Sequence, residues 1–255
     1  MDKKLILVTN DDGYDAKGIT ALIEIARQFG HVVAVAPKTP QSGMSQAITT
    51  SHPLFLETIY KEEGCELYSF NGTPVDCVKF ATDHLLAGRK IDLVLSGINH
   101  GCNATVNVLY SGTMGAAIEG SFYAPSIGLS LDNHSPSASL EGAIHYSRKI
   151  IADVMEAAPE IPFCLNVNVP DIPLKEIKGA RVCRQNRGYW VENFFSNRDP
   201  RGRDYYWLTG EYVDLEPEAT YSDMHALRTG YVAVVPIQVD MTAYHQMEMV
   251  NKIIK

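Results

Sequence analysis

Two adjacent carboxylates stand between an apolar run and a glycine in Val8-Thr9-Asn10-Asp11-Asp12-Gly13. Side by side, Asp11 and Asp12 repel each other, and a hard divalent cation such as Mg²⁺ or Mn²⁺ would remove that repulsion. Such ions take carboxylate, amide, hydroxyl and water oxygens. Ser42, in Gln41-Ser42-Gly43-Met44-Ser45, and Asn99, in Ser96-Gly97-Ile98-Asn99-His100-Gly101, offer the neutral oxygens of such a set. A fourth polar segment, Tyr110-Ser111-Gly112-Thr113-Met114-Gly115, opens a run of small residues. Ser111, Gly112 and Thr113 there could cradle a phosphate with free backbone N–H groups, two hydroxyls and the positive end of a helix dipole. Each segment also has a plain structural reading. Asp-Asp-Gly is an ordinary turn sequence, Ser42 and Asn99 are ordinary loop residues, and Ser111 is an ordinary helix cap. The case for chemistry rests on all four falling at one edge of one sheet.

That edge is set by the strands that precede the segments. Leu5-Ile6-Leu7-Val8 is a continuous apolar run, the pattern of a strand buried on both faces of a parallel sheet. His31 to Ala36, closed by Pro37, reads as a second such strand, Ile91 to Leu95 as a third and Ser126 to Leu131 as a fourth. Phe163 to Val167 and Tyr231 to Val235 add two more. Ile19, Leu22, Ile23, Ala26 and Phe29 recur at helical spacing, with Gly30 placed as a C-terminal cap. Thr73-Pro74-Val75-Asp76 starts a second helix, with Val75, Val78, Ala81, Leu85 and Leu86 as its buried face. A third runs through Ala143, Ile150 and Val154. Alternation of this kind predicts an α/β fold, a Rossmann-like three-layer αβα arrangement around a mostly parallel sheet. In such sheets ligands bind at the carboxyl ends of the strands, where all four polar segments fall.

From about residue 170 the character changes. Residues 181–216 are rich in aromatics and arginines without a clean helical period, and Asp204 to Thr209 reads as one strand of a β-hairpin arm. The tail from Thr242 predicts a short amphipathic helix. Residues 1–255 are therefore expected to form a single α/β domain, a core of about 1–170 with a C-terminal extension of about 180–255 serving oligomerisation.

Composition narrows the chemistry. With 45% hydrophobic and 20% charged residues the 255-residue chain is globular. Its net charge of −8 excludes the broad basic footprint of a DNA binder and disfavours an anionic membrane surface. Five scattered cysteines without a Cys-x-x-Cys pair argue against a disulfide framework or a zinc ribbon. The short apolar start and the absence of a membrane-length run predict a cytoplasmic protein. No P-loop, dinucleotide-binding glycine pattern, nucleophile elbow or His-Glu-x-x-His is present. His100, His225 and His245 are expected to be surface or core histidines.

Taken in order, Val8-Thr9-Asn10-Asp11-Asp12-Gly13, Ala36-Pro37 with Ser42-Gly43, Asn71-Gly72-Thr73-Pro74-Val75-Asp76-Cys77-Val78, Ser96-Gly97-Ile98-Asn99 and Tyr110-Ser111-Gly112-Thr113 resemble the survival protein SurE family. Thr229-Gly230-Tyr231-Val232 and Val239-Asp240-Met241-Thr242 continue the likeness more loosely. The resemblance implies a metal-dependent 5′/3′-nucleotidase acting on nucleoside monophosphates. It puts one divalent ion per subunit on Asp11, Asp12, Ser42 and Asn99, with Asp11, Asp12 and Asn99 catalytic. It gives the phosphate to Ser111, Gly112 and Thr113, and lines the pocket with Asn71, Gly72 and Thr73. It implies a homodimer or homotetramer built through exchanged C-terminal segments. Two departures stand out: His100 where arginine or a small residue is expected, and a segment around Ser42 one residue shorter than in some relatives. Whether a carboxylate acts as base or as covalent nucleophile is open at this point. A non-catalytic, receiver-like Mg²⁺-binding phosphoacceptor would also carry an acidic pair after its first strand. It would need an aspartate where Ser96 stands, on a chain about half this long.

Overall fold

A computed structural model describes residues 3–254. Nine strands form one sheet in the order β3-β4-β2-β1-β5-β6-β7-β11-β8. Its centre is parallel: β1 (Leu5–Thr9) lies between β2 (His31–Pro37) and β5 (Leu93–His100), followed outward by β6 (Ser126–Leu131) and β7 (Cys164–Val169). On the other side β4 (Cys65–Phe70) runs parallel to β2, and β3 (Leu56–Glu62) returns antiparallel at the edge. At the far edge β11 (Val232–Ile237) pairs antiparallel with β7, and β8 (Ala180–Val182) lies parallel to β11. The sheet thus continues beyond residue 170.

The alternation of side chains along β1 makes the three layers. Ile6 and Val8 face a core shared with Ile19 and Leu22 of α1 (Lys17–Ala26) and Ile150 and Ile151 of α4 (Glu141–Ala157). Leu5 and Leu7 face a second core with Cys77 and Val78 of α2 (Pro74–Phe80) and Ala116 of α3 (Gly112–Gly120). A strand covered on both faces reads as a nearly continuous apolar run, as Leu5 to Val8 of β1 do.

Three details differ from the sequence reading. Helix α1 ends at Ala26, so Gly30 is not its cap. A Cβ on Gly30 would lie 2.3 Å from the Lys4 carbonyl oxygen, and close approach to the neighbouring chain explains the residue. The second helix closes at Phe80 into a wider turn over Ala81–Leu85. The β3–β4 hairpin adds two strands that the sequence pattern does not predict: β3 lies mostly exposed at the sheet's edge, and buried β4 breaks its apolar residues with Glu66 and Ser69. The expected arm is a two-stranded ribbon, β9 (Gly188–Arg198) against β10 (Asp204–Asp214). A short helix α5 (Asp223–Arg228) follows it, and α6 (Met247–Ile253) stands near the end of the chain. Among the described residues no helix is long and apolar enough to cross a membrane. All five cysteines are free thiols.

Candidate active site

The chain leaves β1 towards β2 and β4 on one side and later crosses to β5 on the other. The carboxyl ends of β1 and β5 therefore border the switch point, where an open α/β sheet forms its crevice. Asp11 and Asp12 follow β1, and Asn99 and His100 close β5.

Asp11 is buried, 4% exposed. Burial drives its carboxyl up to about 6; hydrogen bonding from Thr113 pulls it back and the adjacent Asp12 pushes it further up. The Thr113 hydroxyl donates to Asp11 Oδ1, so a residue of α3 holds a carboxylate of the β1 loop. Gly112 makes that approach possible: a Cβ there would lie 2.9 Å from Asp11 Cβ and 3.1 Å from Oδ2. Asp12 is less covered, and burial raises its carboxyl too, opposed by the His100 backbone N–H and then by the His100 ring. The N–H donates to Asp12 Oδ2 at 3.4 Å, and His100 Nδ1 lies 3.9 Å from the same oxygen. His100 was expected at the surface or in the core; it sits against a candidate ligand instead. Its place directly after Asn99 was the one available signal.

The other predicted residues group around this pair. Asn99 donates from Nδ2 to the Gly101 carbonyl at 2.8 Å, which leaves its Oδ1 as the free acceptor. The Gln41 N–H donates to the Asp11 carbonyl at 2.7 Å, tying the exposed turn that carries Ser42 to the acidic pair. Ser111 caps α3, its Oγ accepting the Met114 N–H at 3.0 Å. Cap and cradle are compatible, because the opening N–H groups of a helix lack partners within the helix. Asn71, Gly72 and Thr73 stand one step back. Thr73 donates from its hydroxyl to the Ala47 carbonyl at 2.7 Å, and Asp76 Oδ1 accepts the Thr49 N–H at 3.0 Å. The start of α2 thereby seats the segment that follows Ser42.

Among the described residues no three His, Cys, Asp or Glu side chains gather into a metal cluster. A cation here would combine two carboxylates with neutral oxygens. Around the crevice Asn10 Oδ1, Ser96 Oγ and His100 Nε2 are buried without a hydrogen-bond partner. Each of these atoms can still take a polar partner in the crevice, as can other buried polar atoms elsewhere in the fold, Ser147 Oγ and Asn186 Nδ2 among them. The raised Asp11 and Asp12 carboxyls, beside an amide oxygen with no other duty, suit a hard divalent ion.

The comparisons with known proteins show the family and the fold. The family model described as Survival protein SurE matches residues 6–192. This chain belongs to the SurE family. It is 47% identical over 247 residues to the protein named 5′-nucleotidase SurE of Phocaeicola vulgatus, covering 96% of this chain and 95% of the relative. It is 48% identical over 246 residues to the protein of that name from Christiangramia forsetii, covering 95% and 94%. The solved SurE structure from Aquifex aeolicus superposes with a TM-score of 0.83 at 34% identity, over 98% of this chain and all of that one. The SurE resemblance read from Asp11-Asp12, Asn99 and Ser111-Gly112-Thr113 is thereby established for the family and for the α/β fold.

Proposed function

We propose that this SurE-family nucleotidase is a divalent-metal-dependent phosphomonoesterase that hydrolyses nucleoside 5′- and 3′-monophosphates to nucleoside and phosphate, with polyphosphate as a further substrate. One observation carries the reading: the N-terminus of α3 is clamped onto the Asp11 carboxylate at the switch point, so a phosphate-binding feature and an acidic pair share one crevice. The names of the 5′-nucleotidase relatives support it.

Asp11, Asp12, Ser42 and Asn99 would hold the ion. Bound there, Mg²⁺ or Mn²⁺ supplies charge for the phosphoryl oxygens and lowers the pKa of water. The chain's own residues do the rest. Gly112 and the amides beside it meet the phosphoryl oxygens at the positive end of α3, with the Ser111 hydroxyl as a further donor. Thr113 keeps Asp11 in one orientation, and the Gly101 carbonyl does the same for the Asn99 amide. Asp12, the more accessible carboxylate, positions the attacking water. Asn71, Gly72 and Thr73 shape the pocket by seating the segment after Ser42.

A panel of nucleoside 5′- and 3′-monophosphates and polyphosphate, assayed with Mg²⁺, with Mn²⁺ and with EDTA, tests this directly. Phosphate release is expected with metal and not in EDTA, and Asp12→Asn is expected to lose it. Full activity of Asp12→Asn after EDTA treatment would remove the metal assignment.

A further inference from the structure

A cavity of about 350 Å³ opens where the β9–β10 ribbon leaves the body, lined by Tyr110, Trp190, Glu192, Leu208, Thr209 and Gly210. We infer that it is the subsite for the base of the substrate, in which the Tyr110 and Trp190 rings take a nucleobase while its phosphate lies at Ser111–Thr113. The inference rests on the nucleotidase reading and adds to it what recognises the nucleoside.

Position is the first argument. Tyr110 directly precedes Ser111, so their Cα atoms are about 3.8 Å apart and the pocket wall continues into the phosphate cradle. Tyr110 is 54% exposed, leaving an aromatic surface beside a polar crevice. The second argument is that the opposite wall is rigidly aimed. Trp190 donates from its indole N–H to Asn107 Oδ1 at 2.8 Å, and its ring meets Tyr212 edge-on at 5.9 Å between centroids. Asn107 belongs to the segment between β5 and α3, so the tryptophan is tied to the stretch of chain that carries the cradle.

The ribbon's register supplies the third argument. Glu192 pairs with Gly210 and Trp190 with Tyr212, so alternation puts Trp190, Glu192 and Gly210 on one face. Gly210 leaves that face without a side chain between Leu208 and Tyr212. A Cβ there would come 2.8 Å from the Val191 carbonyl oxygen, and a glycine inside a strand often marks such a close approach. An apolar and aromatic lining with one or two polar groups, here the Glu192 carboxylate, is the usual make-up of a small-molecule site, and about 350 Å³ lies within its usual size. The acceptor-only Glu192 carboxylate suits a base carrying an exocyclic amino group.

The test compares adenosine 5′-monophosphate with ribose 5-phosphate, which keeps the phosphate and lacks the base. In the full-length protein the ratio of kcat/KM values should favour the nucleotide. Stacking on one aromatic ring is lost in Tyr110→Ala, so that ratio should fall roughly tenfold or more, whereas Tyr110→Phe should keep it. Binding is read separately in a Trp207→Phe background, where Trp190 is the remaining tryptophan. Adenosine added in EDTA should quench its fluorescence saturably, and Tyr110→Ala should weaken that binding. An unchanged substrate ratio in Tyr110→Ala, or no quenching by adenosine, would overturn the subsite. Failure to hydrolyse either phosphate ester would count against the nucleotidase reading alone, and the quenching measurement would then decide the pocket.

Discussion

Asp11→Asn should stabilise the metal-free protein while destroying its activity. The folded protein holds the Asp11 carboxyl at about 6, against an ordinary 3.8, chiefly because the group is buried. A shift of that size amounts to about 3 kcal/mol between protonation states. Its sign follows from proton linkage. Between about pH 4 and 6 the folded chain binds a proton that the unfolded chain has released. The Asp11 contribution is therefore fully present below pH 3.8 and lost as pH rises through 6; above that the buried charge is a net cost. Asparagine carries no such cost at any pH. Its Oδ1 can still accept the Thr113 hydroxyl, and its amide replaces a like charge beside Asp12. The new N–H₂ needs an acceptor, which takes back about 1 kcal/mol or more of the gain. A net gain of about 1–2 kcal/mol raises Tm by roughly 2–8 °C in a chain of this size. Thermal denaturation in EDTA at pH 8 and at pH 5 is the assay. The variant should melt higher at pH 8, and the gap should narrow at pH 5, where wild-type Asp11 takes up its proton. Added Mn²⁺ at pH 8 should raise the wild-type Tm and leave the variant's nearly unmoved. An Asp11→Asn protein that melts at or below wild type in EDTA at pH 8, or whose gap is the same at both pH values, would refute the reasoning.

Thr113→Val removes the hydroxyl that pulls the Asp11 carboxyl down, so the acid limb of the pH–rate profile should move to higher pH, with Thr113→Ser restoring it. Ser111→Ala loses both a helix cap, about 1 kcal/mol or roughly 2–4 °C in Tm, and a phosphoryl donor, about 10²–10³ in kcat. A lower Tm with normal kcat would reduce Ser111 to a cap. Deleting 199–209 removes the tip of a ribbon on which Phe194, Tyr206, Trp207 and Leu208 are exposed, the kind of surface a partner covers. Light scattering should show an oligomer for the full chain and a smaller species for the deletion; a monomeric full chain, or an unchanged oligomer, would contradict the assembly proposed from the family.

The parallel centre of the sheet was legible because its strands are buried on both faces and so carry dense apolar stretches, interrupted in β5, β6 and β7 only by small or amide residues. β1 and β2 declare themselves in five and seven residues. The edges were not legible, for the same reason inverted: β3 and β8 are largely exposed, so burial never selected an alternating pattern in them. At the site, sequence order alone grouped Asp11, Asp12, Asn99 and Ser111–Thr113, because topology obliges whatever follows the strands to share an edge. What spacing could not supply was orientation. Thr113 reads as a phosphate donor in sequence, yet in the fold it is also the partner of Asp11. Asn71–Thr73 read as pocket lining, yet Thr73 is spent on the Ala47 carbonyl. The role of Trp190 depends on one indole hydrogen bond to Asn107, 83 residues away in sequence, which no local pattern encodes.

The charge balance links these observations. A protein of net charge −8 that admits an anionic phosphate into a crevice lined by two carboxylates has arranged a repulsive encounter. The nearest basic side chain the structure puts on the pair is the His100 ring, 3.9 Å from Asp12, and no arginine or lysine is bonded to either carboxylate among the described residues. Backbone N–H groups at the start of α3 offer about half a positive charge, too little to neutralise two aspartates and a phosphate dianion. For the proposed phosphatase chemistry the field would have to be reversed by something that binds with the substrate, and the proposed divalent ion on oxygen ligands would do so. Without it Asp11 can only relieve its burial by taking up a proton, and a protonated Asp11 is a poorer ligand. Metal affinity and activity should therefore fall together on the acid side of about pH 6, through the same carboxylate.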